Sequence, residues 1–274
     1  MNPTVSLVVA TWNRESTLRE AITSALRQTH PILEVLVCDD GSTDGSRPLI
    51  ESLGDGRVRW IAGDHFGRPA VPRNRGLAQA QGEWIAFLDS DDAWLPRKTE
   101  LQLSHVLAAG QRAVCSNALR MTPSNRTEWK PLLSISGSRM SLDDLLKTNH
   151  IICSSAMIHR SVLAQAIGFP ESTSLRALED YAFWLRIATQ TDFDYVPEPL
   201  VLYRDDPENS LRHEQTSNLW VQRQRVIGNL LEWTGQEGRE PMPTSRLRMI
   251  RRFYYEALAR ARVSSVKQWI KSRL

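Results

Sequence analysis

The chain has 274 residues, 41% hydrophobic and 24% charged, with a formal net charge of +3. This is the composition of a soluble globular protein with room for one large domain or two small ones, and no apolar run approaches the ~18 residues a membrane span needs. Charge is uneven: from Arg239 onward ten basic residues face only Glu240 and Glu256, a tail of +8 on a body of −5. Such a tail suits a polyanionic partner, and an anionic membrane surface or nucleic acid would both fit. Met-Asn-Pro-Thr runs straight into a strand-like segment without a basic leader, so no signal peptide is expected. Cys38, Cys115 and Cys153 match no zinc pattern or disulfide ladder, which points to a reducing cytoplasm.

In chain order, Val5–Ala10 is a short apolar run too brief for a buried helix, and Leu18, Ala21, Ile22, Ala25 and Leu26 carry helical spacing that stops before Pro31. Glu34–Cys38 reads as a second strand ending at Asp39-Asp40-Gly41. A helix is expected from near Asp44, a strand at Val58–Ile61, a helix around Arg75 to Ala80, and a fourth strand from Trp84 to Leu88. This alternation predicts an α/β fold, a mostly parallel central sheet flanked by helices. Beyond Val114 the pattern is mixed, with strands at Ser155–His159 and Leu200–Tyr203 and a helix over Glu179–Ala188. The end of the chain reads as helical, interrupted at Gly235–Pro243.

Ligands of such sheets bind beyond the carboxyl ends of the strands. Two acidic clusters fall there, Asp39-Asp40 and Asp89-Ser90-Asp91-Asp92. Carboxylates held this close repel one another, and a hard divalent cation, which takes one or two carboxylates plus substrate phosphates, relieves that repulsion. Asp89 and Asp91 are therefore candidate ligands of a cation holding a diphosphate; the alternative is an acidic turn capping the next helix. Asp92 is read as such a cap. Asp40 can accept the ring N–H of a uracil, thymine or guanine base, Gly41 permitting a tight turn beside it; here too the alternative is a turn and cap. Arg73 and Arg75 stand two apart, so they cannot share a helix face. One, preferably Arg73, is expected on phosphate or the acidic cluster and the other in water, with Arg68 a further candidate. Asp180 and Trp184 are four apart and would share a face, Trp184 serving as a sugar-stacking wall or as core.

Thr11-Trp12-Asn13-Arg14, Asp39–Asp44, Arg73–Leu77, Asp89–Asp92 and Leu178–Arg186 follow one another in an order and spacing that resembles the family-2 inverting glycosyltransferases, which have the GT-A fold. The resemblance spans residues 5–204. It implies a Rossmann-like nucleotide-sugar-binding half over residues 1–113, an acceptor half with the catalytic base over 114–234, and a basic helical tail over 235–274. It implies Asp180 as general base, Asp91 and Asp89 as ligands of Mg²⁺ or Mn²⁺, and donor contacts from Thr11, Asn13, Arg14, Asp40, Arg73, Asp89, Ser90, Glu179, Trp184 and Arg204. Trp12 stands where tyrosine is commoner, and Asp205-Asp206-Pro207 where many relatives carry a histidine before a donor-closing loop that includes Asn209 and Ser210.

The implied partners are a nucleoside-diphosphate sugar, UDP-sugar favoured, and a glycan or lipid-linked acceptor. Leu247, Ile250, Phe253, Tyr254, Leu258 and Ala261 form a helical apolar stripe in the tail. It reads either as an interfacial helix on an anionic membrane surface along residues 244–274 or as an ordinary helix packed on the body or on a second subunit. A homodimer is a further expectation; nucleic acid is not expected. The expected setting is the cytoplasm, peripherally on the inner membrane face. The alternative function is a non-catalytic nucleotide or nucleic-acid-binding module using the basic tail. A sugar-nucleotide pyrophosphorylase and an NAD enzyme are disfavoured, since no glycine-rich loop follows any strand.

Overall fold

The computed structural model describes residues 2–122, 124, 126–206, 217–239 and 241–271. Its first half is a run of parallel strands with crossover helices. β1 (Val5–Thr11), α1 (Glu15–Leu26), β2 (Glu34–Asp39), α2 (Ser46–Glu51), β3 (Val58–Ile61), α3 (Ala70–Gln79) and β4 (Trp84–Asp89) follow in turn. The pairing β3-β2-β1-β4 is parallel throughout. Both faces are covered, so β1, β2 and β4 are buried at nearly every position and read as continuous apolar runs.

Helix α3 begins at Ala70, five residues before the expected start; Pro72 lies in its first turn, where a missing N–H costs nothing. Gly76 allows α3 to sit close on the sheet, since a Cβ there would meet Cys38 Sγ and Val8 at 2.7 Å. Beyond β4 come β5 (Ala93–Trp94), α4 (Lys98–Ala109), β6 (Ala113–Met121), β7 (Thr127–Pro131), β8 (Arg139–Met140) and α5 (Leu142–Lys147). A 3₁₀ turn at Cys153–Ser155, β9 (Met157–His159), α6 (Arg160–Ala166), α7 (Glu179–Ala188) and β10 (Phe193–Arg204) complete this half. Here pairing is mixed: β9 runs antiparallel between β4 and β6, while β10 lies parallel to β6 and antiparallel to β5. The parallel character expected for the sheet thus belongs to its N-terminal half.

Trp184 lies wholly inside the molecule, with ring centroids 5.8 Å from Phe87 and 5.9 Å from Phe193. This corrects its assignment to the donor: on α7 the Trp184 face packs into the core, so it cannot stack on a sugar. The C-terminal pair α8 (Leu219–Thr234) and α9 (Thr244–Lys271) forms an antiparallel hairpin across the break at 235–243. Ile250, Phe253, Ala257 and Ala261 of α9 are buried, as are Val226, Ile227, Leu230 and Trp233 of α8. That corrects the interfacial-helix expectation in one respect, because the apolar stripe of α9 is already spent on its own body. Among the described residues no helix is long and apolar enough to cross a membrane.

Candidate active site

The site lies where β1, β2 and β4 end together. Thr11 is paired with Asp39 and Ala10 with Asp89, so the acidic clusters after β2 and β4 stand on either side of the end of β1, about 10 Å apart across two strand spacings. Asp40 donates its N–H to the Thr11 carbonyl at 2.9 Å. The Thr11 hydroxyl is buried and has no hydrogen-bond partner.

Asp39 is a turn residue: its carboxylate accepts from Ser42 N and Oγ and from Gly41 N. Asp40 is also committed locally, accepting from the Phe66 N–H at 3.1 Å and the Gly67 N–H at 2.8 Å. His65 reaches the same group, its Nδ1 3.2 Å from Asp40 Oδ2, and stacks on Trp12 with centroids 4.6 Å apart. Trp12, His65 and Phe66 thus present an exposed aromatic surface over Asp40. A single carboxylate has room for one acceptor bond more, so Asp40 can bind a base N–H while it holds the loop. Neither His65 nor Phe66 was a sequence candidate; an aromatic pair inside the Gly63–Gly67 loop is the signal that could have marked them.

Asn13 adopts a left-handed backbone (φ 49°), donates its N–H to Ser42 Oγ and accepts from Thr43 N, tying the loops after β1 and β2 together. Arg14 precedes α1 and its guanidinium lies 3.5 Å from Asp91 Oδ2. The Ser90 carbonyl accepts from Thr17 Oγ1 of α1 at 2.9 Å. Burial and then the neighbouring Asp89 push the Asp91 carboxyl above the ordinary range, with Arg14 opposing.

Asp92 is not a helix cap. Its buried carboxylate accepts from Ser154 Oγ at 2.5 Å and from the Arg204 N–H at 2.8 Å, and β5, not a helix, follows it. Arg204 itself donates to the Asp91 carbonyl and to Glu20 on α1, which binds the end of β10 to the acidic turn. Asn209 and Ser210 lie outside the described residues.

Arg73 joins the two halves. Its side chain is 8% exposed and donates to Asp89 Oδ1 at 2.6 Å and to Glu179 Oε1 at 3.2 Å. Burial lowers its pKa, but the neighbouring Cys153, Asp89 and Glu179 outweigh that and raise it above the ordinary arginine value. Among the described residues Glu179 Oε2 is buried without a hydrogen-bond partner, and burial raises the Glu179 carboxyl while Arg73 opposes. Asp180, next in the first turn of α7, is only partly buried and accepts from the Tyr181 N–H. Arg75 does not simply face water: its guanidinium donates to the Asp39 carbonyl at 2.7 Å. Arg68 is turned to the Glu171 carbonyl.

One chain segment from each half therefore delivers acids to a common edge, with arginines between them. Among the described residues no group of three His, Cys, Asp or Glu side chains forms a ready metal cage. Asp89 and Asp91 fit the other pattern, a cation held by one or two carboxylates and completed by phosphate oxygens.

The model of glycosyl transferase family 2 matches residues 6–166, which contain every element of this edge except α7 and β10. The chain belongs to glycosyl transferase family 2. Similar family members include UDP-Glc:alpha-D-GlcNAc-diphosphoundecaprenol beta-1,3-glucosyltransferase WfgD of Escherichia coli, 32% identical over 67% of this chain and 69% of that protein. The putative teichuronic acid biosynthesis glycosyltransferase TuaG of Bacillus subtilis is 31% identical over 68% and 72%. In fold the chain is similar to Staphylococcus aureus TarS 1–349, crystallised with UDP-GlcNAc, with a TM-score of 0.71 over 93% of this chain and 71% of that one at 18% identity. The complex of the same protein with UDP gives 0.68 over 93% and 70% at 19% identity. The GT-A architecture of this family member is thus shown.

Proposed function

We propose that this glycosyltransferase moves a sugar from a UDP-sugar to an acceptor hydroxyl with inversion, in a reaction that uses a divalent cation, in polysaccharide or lipid-linked glycan assembly. The observation that carries the reading is Arg73, which places Asp89 of the donor half and Glu179 of the acceptor half on one guanidinium. Single displacement needs one carboxylate beside the attacking hydroxyl, and Asp180, partly exposed beside Glu179, is that general base. Glycoside hydrolases, by contrast, use two carboxylates flanking the bond. Asp89 and Asp91 would hold Mg²⁺ or Mn²⁺, which supplies Lewis-acid stabilisation of the leaving diphosphate. Asp40 accepts from the base, and Trp12 lines the base pocket. Arg14 sits on the diphosphate side of the turn.

UDP as the nucleotide carrier is supported by the UDP complexes of TarS and by the name of WfgD, and a lipid-linked acceptor by the latter name. The exposed Arg246, Arg248, Arg251, Arg252, Arg260 and Arg262 of α9 support electrostatic contact with an anionic surface, without insertion. The basic-tail nucleic-acid module is not favoured, since the acidic edge repels a polyanion. The test is a panel of nucleotide sugars titrated with and without Mn²⁺, followed by NMR of the product's anomeric configuration. Asp91→Ala is expected to abolish Mn²⁺-dependent UDP binding; unchanged affinity would remove Asp91 from the metal site.

A further inference from the structure

Ser154 is fully buried, yet its hydroxyl reaches both ends of the acidic turn. It accepts from the Asp89 N–H at 3.0 Å and donates to Asp92 Oδ2 at 2.5 Å. The turn is closed across its base by the Asp92 N–H on the Asp89 carbonyl at 3.1 Å. A single oxygen therefore sets the spacing between the residue that starts the turn and the one that ends it, with Asp91 between them.

Ser154 is in turn held from behind. Trp94 Nε1 donates to the Ser154 carbonyl at 2.8 Å, and Gln102 Nε2 to the Ser155 carbonyl at 2.7 Å. Lys98, fully buried at the start of α4, grips both donors: its Nζ bonds Gln102 Oε1 at 2.7 Å and lies 4.0 Å from the centroid of the Trp94 ring. A lysine is rarely buried unless it is paired, and among the described residues this one has no carboxylate partner. What it touches are the two side chains that brace the 3₁₀ turn. Buried polar networks of this kind rigidify a structure when fully satisfied, and sites of charge stabilisation depend on such supports.

We propose that Ser154 is a positioning residue for transfer: braced by Lys98 through Trp94 and Gln102, its hydroxyl holds the Asp89–Asp92 turn in the shape that presents Asp89 and Asp91 to the donor diphosphate and its cation. This rests on the reading of Asp89 and Asp91 given above. Ser154→Ala removes the shared oxygen with little change in volume; Lys98→Met removes the brace.

The test is calorimetric titration of Mn²⁺ into the UDP-saturated protein, for the wild type, S154A, K98M and D91A, with steady-state kinetics beside it. The expected result is about a tenfold weaker Mn²⁺ affinity in S154A and K98M, a donor KM that rises more than kcat falls, an unchanged acceptor KM, and loss of Mn²⁺ binding in D91A. Mn²⁺ affinity within twofold of wild type in S154A, with D91A still abolishing it, would overturn the positioning role and leave the metal reading standing. Undiminished binding in D91A would overturn the metal reading instead. Should S154A not fold, the unliganded wild type decides: the Asp89 amide is expected to be protected from hydrogen exchange by NMR, and exchange at a free-amide rate would refute the clasp.

Discussion

Replacing Arg73 by methionine tests whether the two halves of the site are bound through one side chain. The substitution keeps the apolar stem and deletes two charge-assisted bonds, to Asp89 Oδ1 at 2.6 Å and Glu179 Oε1 at 3.2 Å. The two losses are unequal. Asp89 is 32% exposed and water can take over, whereas Glu179 is 7% exposed and would be left as an uncompensated buried charge. Breaking one side of a buried pair costs about 3–5 kcal/mol, and nearly all of it should come from Glu179. Adding Glu179→Gln to Arg73→Met should then restore about 1–3 kcal/mol, the coupling expected of contacting groups.

The pH dependence follows from the same pair. Without Arg73 the Glu179 carboxyl, already raised by burial, rises further. A carboxyl whose folded pKa lies above its unfolded one loses stability as pH climbs from the unfolded value through the folded one. The deficit of Arg73→Met should therefore be larger at pH 8 than at pH 5, and urea titrations at both values measure it. A loss below 1 kcal/mol at pH 8, or equal losses in the single and double variants, would refute the bridge.

Asp180→Asn should retain UDP affinity while turnover falls by about 10²–10⁴-fold, the usual contribution of a general base; near-normal turnover would remove Asp180 from that role. Burial pulls the Lys98 amine down from 10.5 to about 7. Between those values the unfolded chain carries the proton and the folded one does not, so stability rises with pH. Wild type should gain about 2–3 kcal/mol over Lys98→Met from pH 7.5 to 9.5, and parallel urea curves across that range would contradict it. Phe253→Ala should cost about 3–5 kcal/mol by opening a cavity where α9 packs into the core, seen as a lower melting temperature. Replacing Arg248, Arg251 and Arg252 with glutamine should leave stability within about 0.5 kcal/mol while reducing retention on anionic vesicles in flotation.

Much of the N-terminal half was legible because its determinants are local. A buried parallel strand writes itself as an uninterrupted apolar run, and a turn beyond it as Asp-Asp-Gly or Asp-Ser-Asp-Asp, so the ends of β1, β2 and β4 and their acids could be placed from spacing alone. Helix α7 was legible to the residue for the same reason.

Orientation was not legible. Periodicity puts Asp180 and Trp184 on related faces of α7 but cannot say what covers each face; Phe87 of β4 and Phe169, together with Phe183 on the same helix and Phe193 at the start of β10, bury the tryptophan. Asp92 looks like a helix cap in sequence because its partners, Ser154 and Arg204, lie 62 and 112 residues away. The same holds for Lys98, whose place at a helix start suggests an exposed charge, and for Ser154, hinted at only by two serines inside the apolar run Ile151–Ile158.

Sequence by itself determined the alternation of elements, the sheet edge on which acids gather, and the basic character of the tail, because each depends on near neighbours in the chain. Tertiary structure alone decided which acids share Arg73, which are braced from behind, and that the apolar stripe of α9 is covered by α8. Those outcomes depend on side chains far apart in sequence competing for the same buried volume and the same hydrogen bonds, and no local pattern encodes that competition.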